Sequence, residues 1–380
     1  LTETIPAVFR LMMEKEIALP PFSVTSALPS TLNGGKDFSD WSKRDDLLYA
    51  TLRPAVEAVL GRDGVGLADT AIAESKFEKG QDVSGRVLAL VSRLGDIRCH
   101  GTPDIEFAAV GLIARSQVDA GRSEDGARMV QSLRQRLEDM GESRFMPNID
   151  AMLCRIALRT GDRAAAADWY REKAPRDPTH FRVLLRYQYF TQAMVELSQG
   201  DNDAAMLTLA PLERYCHVCH RHIDSIHLHL LTAAALFRKH EENWSAPLDE
   251  ALETAAQYGF VRTVSQYGAA VLPLLERRHW QGDPEFRAAV MQGVRAQAAN
   301  YPDFLAPPLE QTETLTATEL QVLRLLCADK SNAEIGRILD IRLPTVKSHV
   351  SHILQKLNVS RRSEAKRAAE RLHLLPGTKL

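Results

Sequence analysis

Ser331-Asn332-Ala333-Glu334-Ile335-Gly336-Arg337-Ile338-Leu339, then Asp340-Ile341-Arg342, then Leu343-Pro344-Thr345-Val346-Lys347-Ser348-His349-Val350: this stretch decides how the C-terminal end is read. Ser331, followed three residues later by Glu334, forms a capping box and predicts a helix carrying Ile335, Ile338 and Leu339 inward. Asp340-Ile341-Arg342 read as a tight turn. Pro344 suits the first position of the next helix, where a missing N–H costs nothing. Along that helix Val346, Val350, Ile353, Leu354 and Leu357 form one apolar stripe, and Thr345, Lys347, Ser348, Ser351, Gln355 and Lys356 take the other face. A short helix, a three-residue turn and a second helix with a polar, basic outer face predict a helix-turn-helix.

On the N-terminal side, Thr316-Ala317-Thr318-Glu319 is a second capping box, opening a helix expected to bury Leu320, Leu323, Leu326 and Cys327. On the C-terminal side a fourth helix is predicted from about Arg362-Ser363-Glu364-Ala365. Ala365, Ala368, Ala369 and Leu372 on one exposed side of it would suit a dimer contact. Residues 315–380 hold twelve basic and six acidic residues, a net +6, which leaves −8 for residues 1–314. A basic end on an acidic body suits a reader of polyanions that does not cling to nucleic acid over its whole surface.

The segments Leu315–Leu323, Ser331–Ile335, Thr345–Val350 and Leu357–Ser360 resemble the LuxR-type helix-turn-helix over most of residues 315–380. The resemblance implies that the third helix enters the major groove and that the fourth makes a dimer contact. It places Lys347, Ser348 and Ser351 at base edges of double-stranded promoter DNA. Asn332, Thr345 and the nearby basic residues Lys356, Arg361 and Arg362 would hold phosphates. Three departures are visible. The family often has Arg where Thr318 stands, and a Ser or Asp cap where Leu343 stands, a loss of roughly 1 kcal/mol. Serine at 351 also reads bases less decisively than arginine.

Upstream, residues 301–314 carry three prolines and no helical period, and are expected to form a linker. Residues 46–300 show helical patterning. Within them Gly80, Gly121, Gly161 and Gly200 recur every 39–41 residues, each followed five positions later by a small residue: Gly85, Gly126, Ala166 and Ala205. A degenerate fifth copy has Glu241 in the glycine slot and Ala246 after it. About forty residues fit two helices and their connections, so the expected fold is all-α: a TPR-like α-solenoid followed by a four-helix domain. Residues 1–45, rich in Pro, Ser and Gly, read as one short helix and a loop.

Arg182-Val183-Leu184-Leu185-Arg186-Tyr187, Gly200-Asp201 and Ala255-Ala256-Gln257-Tyr258-Gly259-Phe260-Val261-Arg262 also resemble the helical repeats of MalT-like (LAL) regulators. That family joins an ATP-binding module, an inducer-sensing solenoid and a LuxR-type domain. No Walker A motif is present, since Gly34-Gly35-Lys36-Asp37 lacks both the spacing and the Ser/Thr. An ATPase is expected either upstream of Leu1 or not at all. Phosphoreceiver and acyl-homoserine-lactone domains are disfavoured because they need strands alternating with helices.

In the expected solenoid, Trp169, Tyr170, Tyr187, Tyr189, Phe190, Tyr258 and Tyr267 are candidates for stacking on an inducer, although interhelical core is the commoner role of such residues. The ligand-binding residues themselves are not legible. Cys216-His217-Val218-Cys219-His220 matches the c-type haem attachment pattern only formally. On a helix Cys216, Cys219 and His220 share one face, and two thiolates with an imidazole would suit zinc or copper, against a simpler reading as a polar turn. Five cysteines in a long chain do not form a disulfide framework, and a reducing cytoplasm is the expected compartment. No apolar run is long enough to span a bilayer, and no paired carboxylates or activated nucleophile suggest an enzyme. The expected function is a ligand- or partner-responsive transcription regulator that binds DNA as a homodimer; the alternative is a helical interaction scaffold whose last domain does not bind DNA.

Overall fold

A helix that must turn back on its neighbour needs its last carbonyls satisfied and its chain reversed within a few residues, and a left-handed residue does both. The computed structural model describes residues 37–41, 45–175, 181–182, 185–278, 280–307, 315–357, 359 and 361–371, helical with no strand among them. They fall into two units, one ending at Ala306 and the other starting at Pro307. The first contains α1 (Asp45–Leu60), α2 (Leu67–Glu78), α3 (Ser84–His100), α4 (Pro103–Asp119), α5 (Ser123–Asp139), α6 (Met146–Thr160), α7 (Arg163–Lys173), α8 (Arg186–Gln199), α9 (Asn202–Val218), α10 (His222–Arg238), α11 (Ser245–Tyr258), α12 (Val261–Ser265), α13 (Gly268–Arg277) and α14 (Pro284–Asn300). Five consecutive hairpins, α2/α3 through α10/α11, are followed by α12 and α13 packed on α14. This is the expected all-α solenoid.

The repeat is visible in its turns. Gly80, Gly121, Gly161 and Gly200 have φ of 70°, 80°, 75° and 85°. The residue after each donates its N–H five residues back, as in Gln81 to Lys76 at 3.0 Å and Asp162 to Ala157 at 2.9 Å. The fifth turn corrects the sequence alignment. Its left-handed residue is His240 (φ 58°), not Glu241, and Glu241 donates to Leu236 at 3.1 Å. Histidine tolerates this region better than most side chains, so the motif survives loss of glycine.

The small residue five positions on matters in three copies. Gly126, Ala166 and Ala205 are buried. A Cβ on Gly126 would lie 2.9 Å from the Ala114 carbonyl oxygen of the preceding helix. Gly85 and Ala246 are exposed, so in the first and fifth copies no close approach explains them.

The helices coil until the sixth unit returns to the first, with α12 packed against α2. Part of the N-terminal segment joins this body: Phe38 and Trp41 are buried edge to face, and Asp37 Oδ2 accepts the Ile223 N–H at the start of α10 (2.9 Å). The helix expected before them, and Gly34-Gly35-Lys36, lie outside the described residues. Tyr301, Phe304 and Leu305, which composition assigned to the linker, are instead buried in the body. Tyr301 donates its hydroxyl to the Val118 carbonyl (2.5 Å), so the body extends past α14 and the unit boundary falls after Ala306. Among the described residues no helix is long and apolar enough to cross a membrane.

The second unit contains α15 (Ala317–Cys327), α16 (Asn332–Leu339), α17 (Leu343–Lys356) and α18 (Arg362–Arg371). Val322, Leu323, Leu326, Ile335, Val346, Ile353, Leu357, Ala365, Ala368 and Ala369 form its core. Three expectations change. The α18 alanines, expected on an exposed dimer face, are fully buried; in so small a bundle a short side chain lets α18 approach α15 and α17. Leu372 lies outside the described residues. Ile338 is 54% exposed, and Val322 takes the buried place expected of the half-buried Leu320 and Cys327. Finally, α17 begins at Leu343, with Val346 N–H donating to the Arg342 carbonyl (3.1 Å). Pro344 therefore stands second in the helix, still within the first turn, where N–H groups have no intrahelical acceptor.

Candidate nucleic-acid interface and the charged lumen of the repeats

Both capping boxes close. Thr316 N–H donates to Glu319 Oε2 (2.8 Å) and Glu319 N–H to Thr316 Oγ1 (3.2 Å). Ser331 N–H donates to Glu334 Oε2 (2.8 Å) and Glu334 N–H to Ser331 Oγ (3.3 Å). They fix where α15 and α16 start, and the left-handed Asp340 (φ 52°) ends α16. The turn then delivers α17 with Val346, Ile353 and Leu357 locked inward.

The opposite face of α17 is open. Thr345, Lys347, Ser348 and Ser351 are all exposed, with His352 beside them. Lys347 and Ser351 are one turn apart, as a groove-reading face requires. The five residues expected at phosphates divide. Thr345 and Arg361 are exposed. Arg362 donates to Asn332 Oδ1 (3.1 Å) and to the Lys330 carbonyl, so these two residues pin the start of α18 to the start of α16. Lys356 Nζ lies 3.0 Å from Glu319 Oε2. Burial alone would raise the Glu319 carboxyl, but the Thr316 backbone N–H and Lys356 hold it below its ordinary value. Composition could not distinguish these structural cations from free ones, because both kinds lie on polar helix faces. Arg342, exposed at the start of α17, is a further cation at this edge.

The body also carries charge inside. Arg115 on α4 pairs with Glu74 and Glu78 on α2. Arg262 on α12 pairs with Glu78 (3.4 Å) and Asp119 (2.7 Å), closing the sixth unit onto the first two. Arg186 pairs with Asp224 at 3.0 Å. Burial opposes ionisation of Glu78 and Asp224, yet Arg262 and Arg115 hold Glu78 at about 2, and Arg186 and Arg221 hold Asp224 at about 2. Between them His227 accepts or donates a 3.0 Å hydrogen bond with Tyr267 Oη. Burial, aided by the nearby Arg155 charge, lowers it to about 4, so it is neutral at physiological pH. The repeat explains the stacking: Arg115 and Arg155, like Asp119 and Arg159, are 40 residues apart and sit at equivalent positions of successive repeats. That signal was present in the sequence and was missed.

Of the aromatic candidates, Trp169, Tyr189, Phe190 and Tyr267 are buried, and Tyr170, Tyr187 and Tyr258 are partly buried against the same core. Tyr187 and Tyr267 line the lumen. The helix face expected for the Cys/His cluster does not form. Helix α9 ends at Val218, Cys219 is its cap, and His220 is left-handed (φ 50°), so Cys216, Cys219 and His220 do not share a helix face. Cys216 is buried and its thiol is pushed far up by burial. Among the described residues no group of three or more His, Cys, Asp or Glu is arranged to hold a metal ion.

Comparison with known proteins agrees with this division. The model of the MalT-like TPR region matches residues 68–281, and that of bacterial regulatory proteins of the luxR family matches residues 313–369. The HTH-type transcriptional regulator MalT of Vibrio campbellii is 26% identical over 299 residues, covering 73% of this chain and 33% of that protein. MalT of Vibrio parahaemolyticus is 25% identical over the same shares, and MalT of Yersinia pestis (strain Pestoides F) is 30% identical over 57% of this chain and 26% of that protein. The chain thus spans about a third of the length of the Vibrio relatives. No solved structure matches it. Since the first of the two models covers more than half of the chain, the chain belongs to the family of the MalT-like TPR region, here joined to a domain of the luxR family of bacterial regulatory proteins.

Proposed function

We propose that the chain binds promoter DNA through α17 as part of a transcription regulator, and that its helical repeats receive the signal. One observation carries the reading: Lys347, Ser348 and Ser351 are exposed together on one side of α17 while Val346, Ile353 and Leu357 anchor the other in the core. The lysine and serines meet base edges. Thr345, Arg361 and Arg342 reach phosphates, with Asn332, Lys356 and Arg362 holding the bundle as well. The homodimer on DNA rests on family resemblance, because the alanines that suggested it are inside. The inducer acts in the repeats by changing oligomeric state or the availability of the DNA-binding unit.

The interaction-scaffold reading draws on Asn332, Lys356 and Arg362, three expected phosphate contacts that are engaged within the unit. Fluorescence anisotropy separates the two. With duplexes selected from a random pool by the wild type, Lys347→Ala should weaken binding by about 1–3 kcal/mol, and affinity should fall steeply as salt is raised. Affinity that is flat in salt and indifferent to Lys347→Ala establishes the scaffold.

A further inference from the structure

Arg155 and Arg159 lie on the inner face of α6, and both line a cavity of about 50 Å³ in the body. A second cavity of the same size adjoins it and shares Arg115, Arg155, Tyr187, Arg262 and Gln266. Among the described residues neither Arg155 nor Arg159 pairs with a carboxylate, whereas Arg115 and Arg262 beside them share Glu74, Glu78 and Asp119. Arg155 donates to Thr191 Oγ1 (2.8 Å) and to the Tyr187 carbonyl (2.9 Å). Arg159 is 9% exposed, donates to Gln297 Oε1 (3.3 Å) and lies over the Phe304 ring. These acceptors are neutral. They satisfy N–H groups without cancelling the charge. Asp119, the one carboxylate lining this cavity, acts on Arg159 but is ion-paired with Arg262. Arg115, half-buried Arg155, buried Arg159 and Arg262 thus face a single carboxylate there, and under-compensated buried charge is costly.

The adjoining cavity is closer to balance, with Glu78 and Asp224 against Arg115, Arg155, Arg186 and Arg262. Arg186 is 1% exposed and its Nη1 has no hydrogen-bond partner, although its Nε reaches Asp224. By this measure of volume a water needs about 10–15 Å³. Each cavity therefore takes a few waters or one small anion, which is too little for an extended peptide. Guanidinium forks match the paired oxygens of carboxylate and phosphate, and Met152, Met194 and Phe304 supply an apolar wall for the rest of a ligand.

We propose that this lumen binds a small anionic metabolite, its carboxylate or phosphate group held by Arg155 and Arg159 and reached from the adjoining cavity by Arg186. The proposal rests on the reading of the repeats as the signal-receiving part, and it names the chemical class of the signal. The anion would supply the negative charge that the lumen lacks beside α6, and so tighten the packing of α6 and α8 against the α12–α14 turn.

Isothermal titration calorimetry on the full chain, at constant ionic strength, tests it with inorganic phosphate, succinate and chloride as titrants. The expected result is saturable one-to-one binding of at least one oxyanion and none of chloride. Phosphate alone identifies a phosphate group, succinate alone a carboxylate, and both together the shared oxyanion chemistry. Arg159→Gln should weaken binding about tenfold or more, while Arg128→Gln, exposed on α5, should leave it unchanged. If circular dichroism shows Arg159→Gln to be misfolded, Arg155→Lys replaces it, keeping the charge and losing the fork, with the same expected weakening. Absence of binding to the wild type, or undiminished binding to the folded variant, overturns the proposal. DNA affinity measured on the same preparations keeps the two readings apart: if it persists without anion binding, only the lumen assignment fails.

Discussion

The two units treat charge in opposite ways. In the repeat body the decisive charges are buried and paired across helices far apart in sequence, as Arg262 is with Glu78 and Asp119. In the C-terminal unit Lys347, Arg361 and Arg342 are exposed, and the two buried-side pairings, Lys356 with Glu319 and Arg362 with Asn332, hold the helices that present them. Buried pairs set the shape because breaking one strands its partner in low dielectric. Exposed cations contribute little to stability and are free to meet a polyanion.

Removing one cation from each unit tests this contrast at its strongest. Arg262→Gln should destabilise the body by about 3–5 kcal/mol in urea unfolding, because Glu78 and Asp119 both lose a partner. Lys347→Ala should change stability by no more than about 0.5 kcal/mol while impairing DNA binding. Comparable losses of stability in both variants would dissolve the distinction.

Acid offers a second, smaller lever. His227, whose folded value is about 4, stays neutral while an unfolded chain takes up the proton near 6.5. The unfolded state then binds more protons, so stability falls as pH drops from about 6.5 to about 4, by up to ~3 kcal/mol. Glu78 and Asp224, both near 2 when folded, extend the loss from their ordinary values down to about pH 2. Glu196, which burial holds above its ordinary value, works in the opposite sense above that value. Thermal melts of His227→Gln should show a shallower slope between pH 6.5 and 4, the residual coming partly from His229, which burial also lowers. An unchanged slope would place the acid sensitivity elsewhere. The smallest expected effect concerns the fifth turn: His240→Gly should stabilise by about 1 kcal/mol, and a loss of stability there would show that the histidine side chain contributes more than its strained backbone costs.

Local signals made the C-terminal unit legible. Capping boxes, a proline in the first helical turn and one apolar stripe specify helices within a few residues of themselves, and the bundle follows from burying that stripe. The inward alanines of α18 were misread because a helix with short apolar residues on one side looks the same whether that side meets its own bundle or a second copy. The repeat was legible for the same local reason: a left-handed residue near every fortieth position carries its signature in glycine, and fails to do so only where histidine substitutes.

The amino-acid sequence by itself determined the helices, their turns, the forty-residue period and the face of α17 that carries Lys347, Ser348 and Ser351. Only the tertiary structure decided which cations are free and which are structural, that Tyr301–Leu305 belong to the body, and that α12 returns to α2 to enclose Arg155 and Arg159. The physical reason is range. Helices and caps are settled by hydrogen bonds between near neighbours, whereas a buried charge finds its partner one repeat away, as Arg115 does in Glu74, or more than a hundred residues away, as Arg262 does in Glu78 and Asp119.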